Sequence, residues 1–129
     1  MTCERREAVS ENVAILGATD DPMKYANMAQ NSLRETGHTV FPVNPNKETV
    51  DGLKAYSRLE EIPEKIDTVS VYVNPSILLS LTDDILAVNP RRVIMNPGTE
   101  NEQVAEALKE HGIEVVRACT LVMSHTGQF

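Results

Sequence analysis

The stretch Val13-Ala14-Ile15-Leu16-Gly17-Ala18-Thr19-Asp20-Asp21-Pro22 decides the fold. Four apolar residues in a row suit a strand covered on both faces, and such strands occur in parallel sheets with helices on either side. Gly17 marks the strand end. Beyond it Tyr25, Met28, Ala29, Ser32 and Leu33 recur at helical spacing. Asp21 is placed as an N-cap, Pro22 at the first helical position and Gly37 at the far end. In this helix Tyr25 is expected to face the core.

The same alternation continues outward. Thr39–Val43 reads as a second strand, Asp51-Gly52 as a turn and Ser57–Glu61 as a short helical piece. Thr68–Val73 is a third strand, followed by one helix with Ile77, Leu78, Leu81, Ile85 and Val88 on a single face. Arg92–Met95 is a fourth strand. Thr99-Glu100-Asn101-Glu102 has the form of a capping box opening a helix through Val104, Ala105 and Leu108. Gly112 ends that helix, and Ile113–Arg117 is a fifth strand. Strands alternating with amphipathic helices predict a three-layer α/β domain, doubly wound around a five-stranded parallel sheet. Right-handed crossovers point to the strand order 3-2-1-4-5. Residues 1–12 read as a solvated arm and 13–129 as a single domain.

Composition limits the function. The chain has 129 residues, 41% hydrophobic and 24% charged, enough for one domain with its own core. A formal net charge of -7 argues against nucleic acid as the main partner. No apolar run approaches the ~18–20 residues of a membrane-spanning helix, and the charged start Met1–Asn12 does not resemble a secretory signal. Cys3 and Cys119 lack zinc-ligand spacing and read as reduced thiols of a cytoplasmic protein. No metal site and no catalytic constellation is expected.

In a doubly wound sheet, ligands bind beyond the carboxyl ends of the strands. Three successive strands here end in Asn-Pro: Asn44-Pro45, Asn74-Pro75 and Asn96-Pro97. Each is a clean strand stop, and together they are expected to line one crevice with rigid apolar surface and amides. The first loop departs from the dinucleotide fingerprint G-x-G-x-x-G, because Thr19 and Pro22 stand at the second and third glycine positions. The acidic residue expected at the end of strand two is replaced by Asn44, Asn46 and Lys47. NAD is disfavoured on both grounds. Lys47 instead suits a ribose carrying a phosphate, as in NADP or coenzyme A. Thr19 has a hydroxyl to offer a phosphate near the helix N-terminus, although Asp20 and Asp21 oppose an anion there.

Five stretches carry a resemblance. They are Val13–Thr19 with Lys24–Asn27, Val40–Lys47, Val71–Pro75, Asn96–Thr99 and Ala118–Thr120. In this order and spacing the chain resembles the small stand-alone CoA-binding Rossmann proteins, related to the N-terminal CoA-binding domain of succinyl-CoA synthetase α subunits. The resemblance implies coenzyme A or an acyl-CoA laid across the carboxyl edge, with no catalysis of the chain's own. It places Gly17, Ala18, Thr19 and Asp20 at a phosphate-contacting turn. Lys47 falls near the ADP phosphates, with Asn44 and Pro45 among the cofactor-binding residues, Val73 and Pro75 beside the adenine, and Asn96, Pro97 and Gly98 along the pantetheine arm. Cys119 lies on the same edge. As partners it implies a homo-oligomer or association with a larger ligase subunit. Two other readings remain open: an NADP-dependent reductase, for which Tyr72 and Lys24 are the candidate groups, and a regulatory or interaction subunit of an acyl-CoA ligase.

Overall fold

The computed structural model describes residues 10–129. Its five-stranded sheet is parallel throughout and centred on β1 (Asn12–Leu16). β2 (Thr39–Val43) pairs with one side of β1 and β5 (Thr68–Val71) with the other. β6 (Arg92–Met95) and β7 (Glu114–Arg117) extend the sheet beyond β5. A small hairpin, β3 (Thr49–Val50) with β4 (Leu53–Lys54), lies on the connection from β2 to β5. Helix α1 (Tyr25–Glu35) packs with α5 (Thr120–His125), and α2 (Pro75–Ser80) and α3 (Thr82–Val88) pack with α4 (Glu102–Glu110). Val13 and Ile15 meet Leu33 in one core, whereas Ala14 and Leu16 meet Leu78, Ile85 and Val104 in the other. Because side chains alternate along a strand, the apolar run Val13–Leu16 of β1 feeds both cores. The result is the expected three-layer α/β, Rossmann-like architecture.

The strand order differs from the expected 3-2-1-4-5. Counted along the chain, the five sheet strands lie in the order 2-1-3-4-5, because the third pairs with β1 and not with β2. Pro42 gives the physical reason. It has no N–H to donate, which confines its strand to a sheet edge. The outer side of β2 is closed instead by a short contact with Tyr56, whose N–H donates to the Pro42 carbonyl at 2.9 Å. The third strand is therefore sent across β1, and the switch point falls between β1 and β5.

Several local boundaries also move. Asp21 caps a turn ahead of α1, its Oδ1 accepting the Met23 N–H at 3.0 Å, and the helix itself starts at Tyr25. Tyr25 is 67% exposed and does not face the core. The single helix expected over 77–88 is interrupted at Leu81, where α2 gives way to α3. Asn101, not Thr99, caps α4 by accepting the Val104 N–H. The piece near Ser57–Glu61 is a 3-10 turn over Leu59–Glu61. Asp51-Gly52 is the expected turn, with φ of 52° and 80°, the geometry of a tight β3–β4 hairpin. Helix α5 occupies a tail to which the sequence pattern assigned no element.

At the amino edge of the sheet a buried polar cluster ties the ends of the described chain together. Glu11, 8% exposed, accepts from the Thr68 hydroxyl at 2.6 Å and from Arg91 at 2.6 Å, with Arg92 at 3.4 Å. Residues 1–9 of the arm read from the sequence lie outside the described residues, and Asn12 already belongs to β1. The Arg92 guanidinium lies 4.4 Å from the centre of the Phe129 ring, and His38 meets that ring edge-on at 5.0 Å. His38 Nδ1 accepts the Glu11 N–H at 3.0 Å and so must be unprotonated.

Desolvation, with Arg92 adding to it and Glu11 opposing, holds His38 below its usual pKa. Below the ordinary histidine value the unfolded chain binds more protons than the folded one, so stability falls as pH falls. Urea unfolding is expected to show a declining midpoint from pH 7.5 to 5.5. His38→Asn, which keeps an acceptor but cannot titrate, should flatten the decline.

Candidate functional site: a cleft at the carboxyl edge

β1 ends at Gly17, whose φ is +95°. A Cβ there would lie 3.0 Å from the Tyr72 carbonyl carbon and 3.1 Å from its oxygen. The Gly17 and Ala18 N–H groups both donate to the Val43 carbonyl, at 3.0 and 3.2 Å. The first loop is thus pinned between the ends of β2 and β5, and two clefts meet at Gly17 and Asn44. One, about 290 Å³, has apolar walls from Leu16, Val43, Leu59, Val73, Ile77 and Leu81. Its polar groups come from Asn44, Asn46, Ser57, Arg58 and Asp84, with Pro45 at the wall. The other, about 370 Å³, is walled by Ala18, Thr19, Lys24, Tyr25, Ala26 and Tyr72. Apolar walls with a few convergent polar groups are the usual character of a small-molecule site.

The first loop is largely bonded to itself. The Thr19 N–H donates to Gln30 Oε1 at 3.1 Å, and the Thr19 carbonyl accepts from Asn27 at 2.9 Å. Thr19 Oγ1 accepts the Asp21 N–H, which leaves its hydroxyl proton free to point outward. Asp20 is occupied on both oxygens. Oδ1 accepts the Asp51 N–H at 2.6 Å and Oδ2 takes Lys47 Nζ at 3.3 Å. The Asp51 N–H, then Lys47, hold the Asp20 carboxyl below its ordinary pKa. Lys47 is therefore found at the rim, joining the 44–48 turn to the first loop, and carries a carboxylate partner. No acid occupies the first turn of α1, and Lys24 stands at its N-cap.

The three Asn-Pro pairs serve three different ends. Asn44 lines both clefts, with its amide donating to the Ala18 carbonyl at 2.8 Å. Asn74 caps α2 by accepting the Ile77 N–H. Asn96, 1% exposed, spends its whole amide internally. It accepts the Thr120 N–H at 2.7 Å and donates to Ser70 at 3.0 Å and to the Val71 carbonyl at 2.8 Å. Of the expected site residues, Gly17, Asn44, Pro45 and Val73 line the apolar cleft, and Ala18 and Thr19 join Gly17 and Asn44 along the second. Asp20 and Lys47 sit above them as an ion pair. Pro75, Asn96, Pro97 and Gly98 line neither cleft; Pro97 and Gly98 are exposed on the same edge.

Sequence reading missed Ser57, Arg58, Ile77, Leu81 and Asp84. Their spacing puts Ile77 and Leu81 on a single face with Leu78 and Ile85, yet Ile77 is 45% exposed at the cleft whereas Leu78 and Ile85 are buried. Tyr72 turns its hydroxyl inward, where it finds no partner among the described residues, Lys24 included. Burial pushes its pKa up to about 12. Cys119 is a half-buried free thiol at the start of α5. Among the described residues no group of three or more His, Cys, Asp or Glu is placed to hold a metal, and no helix is long and apolar enough to cross a membrane.

A doubly wound sheet with its cleft at the switch point is the architecture of a nucleotide-binding module. Comparison with known proteins narrows the class: the chain belongs to the CoA binding domain family, which matches residues 11–125. It is 28% identical over 116 residues to the protein YneT of Bacillus subtilis (strain 168), covering 90% of this chain and 86% of that one. It is 39% identical over 62 residues to the α subunit of the ADP-forming acetate–CoA ligase II of Pyrococcus furiosus; that match spans 47% of this chain and 14% of the ligase subunit. A crystal structure of an uncharacterized protein superposes with a TM-score of 0.88 at 44% identity, covering 94% of this chain and 99% of the other.

Two substitutions test the assignment of Tyr72 and Asn96 to the scaffold. Tyr72→Phe removes a buried, unpartnered hydroxyl and should leave stability unchanged or raise it by up to about 1 kcal/mol. Asn96→Ala strands the Thr120 N–H and removes the amide donor from the Val71 carbonyl and from Ser70, which keeps its bond to the Thr120 hydroxyl, and should cost roughly 2–4 kcal/mol. Both are read from urea unfolding curves.

Proposed function

We propose that this chain binds coenzyme A or an acyl-CoA non-covalently, with the adenosine end in the apolar cleft. The observation that carries the reading is the position of that cleft, at the β1–β5 switch point of a chain whose family is the CoA binding domain. A cleft of about 290 Å³ is at the small end for ligand sites and suits the nucleoside part of so long a molecule. The diphosphate then crosses the saddle at Gly17 and Asn44, beneath Lys47, with the Thr19 hydroxyl free to donate. Asp20 presets the Lys47 ammonium at the rim, and an arriving phosphate competes for it. Pro97 and Gly98 offer exposed surface to the pantetheine arm, and no catalytic step is assigned to any residue.

A second reading concerns the setting in which the domain works. The chain matches a region amounting to about a seventh of an ADP-forming ligase subunit, and Met23 and Tyr25 stand exposed at the start of α1, Tyr25 in the wall of the second cleft. Both support association with a larger ligase chain, which would co-purify with the tagged protein.

Calorimetry tests the ligand directly. Saturable binding of coenzyme A is expected, and the absence of heat at millimolar coenzyme A overturns the proposal. Lys47→Ala should weaken binding about tenfold, equivalent to roughly 1.4 kcal/mol. In a thermal-shift panel, ligand at 100 times its Kd adds roughly 2.7 kcal/mol of stability. Coenzyme A should therefore shift the transition more than NAD or NADP. A larger shift with NADP would favour the reductase reading.

A further inference from the structure

We infer that the ion pair of Arg58 with Asp84, in the wall of the apolar cleft, reads the edge of the base and makes the site selective for adenine. The inference rests on the coenzyme A reading and assigns to two residues a role within that site. Both side chains line the cleft, and they arrive from separate elements, Arg58 just ahead of the 3-10 turn and Asp84 in the first turn of α3. The guanidinium grips the carboxylate through two groups, Nη2 to Oδ1 at 2.9 Å and Nε to Oδ2 at 3.4 Å. Glu60 adds a second carboxylate at 3.4 Å from Nη1.

The charge balance selects the kind of group that fits. One guanidinium between two carboxylates offers no net positive charge, and an arriving phosphate would be opposed by Asp84 and Glu60. A neutral heterocycle is not. Val73 and Ile77 present apolar surface to the faces of a flat ring. The edge of adenine sets an amino donor beside a ring-nitrogen acceptor. The pair presents the complement: Asp84, with its side chain 15% exposed, has lone pairs left to accept from the amino group. Arg58, at 54%, has N–H groups left to donate to the ring nitrogen. Hypoxanthine and guanine carry a carbonyl oxygen where adenine has its amino group, and that oxygen would face the Asp84 carboxylate unpaired. Because each group holds the other in place, little ordering is left for the ligand to impose.

The test compares coenzyme A with deamino-coenzyme A, in which hypoxanthine replaces adenine and every phosphate is kept. Calorimetry on the wild-type chain should show coenzyme A binding at least tenfold more tightly. Asp84→Asn has the same shape but offers an amide donor as well as an acceptor, so the preference should collapse to within about threefold or invert. Arg58→Gln, a second variant removing the other partner, should also reduce the preference. Lys47→Ala should weaken both ligands alike and leave the ratio intact. Equal affinities in the wild-type chain, or an undiminished ratio in Asp84→Asn and Arg58→Gln, would overturn the assignment while leaving the coenzyme A reading standing. If neither ligand binds the wild-type chain, the coenzyme A reading falls, and this assignment with it.

Discussion

The absence of a side chain at position 17 is the constraint on which the carboxyl edge depends. Gly17 passes so close to the Tyr72 backbone that a Cβ would sit 3.0 Å from its carbonyl carbon. With φ at +95° the chain can turn there at no steric cost, whereas an L side chain would be strained even in open space. This turn directs two N–H groups to Val43 and locks the first loop across the ends of β1 and β2. The walls of both clefts follow from it. An apolar slot is left on the side of Val43 and Val73, and a more polar one on the side of Thr19 and α1.

Behind this edge the protein separates buried polarity from the binding surface. Ser70, Asn96 and Thr120 satisfy one another beneath α5, and Glu11, Thr68 and Arg92 do the same at the opposite edge. Such clusters orient the sheet and helices by pairing their own polar groups, the inward Tyr72 hydroxyl being the buried group left unpaired among the described residues. The apolar cleft has the reverse character: its walls are mostly aliphatic, and its charged pair joins a half-exposed Arg58 to a largely buried Asp84 within the wall. Buried hydrogen bonding specifies the scaffold, while shape and a few exposed polar groups are left for a ligand.

Asn-Pro shows how far a motif can be read without coordinates. Two of the copies stand directly after β2 and β6, whereas Asn74-Pro75 lies beyond the end of β5 and opens α2, and the asparagine amides go to a cleft wall, to a helix cap and to an internal network. The dipeptide determines backbone direction locally and says nothing about which distant groups the amide will meet. Lys47 was legible as a cation at the end of β2; its pairing with Asp20, twenty-seven positions away in the chain, was not. Arg58 and Asp84 were illegible for the same reason, since neither belongs to a motif and only the packing of α3 against the 3-10 turn brings them together.

The sequence by itself determined the three-layer class, the positions of the main strands, the Gly17 and Asp51-Gly52 turns, and the sheet edge at which the two clefts open. Those features depend on period, on turn chemistry and on proline, which act between near neighbours in the chain. It also held in Pro42 the sign that β2 is an edge strand, although its meaning emerged only when the third strand was seen paired with β1. Tertiary structure alone decided the 2-1-3-4-5 order, the break at Leu81, the inward turn of Asn96 and the side chains that wall the cleft. Each of these is a competition among partners far apart in sequence. Its outcome rests on which hydrogen bonds and apolar contacts can be satisfied together, and no local pattern encodes that.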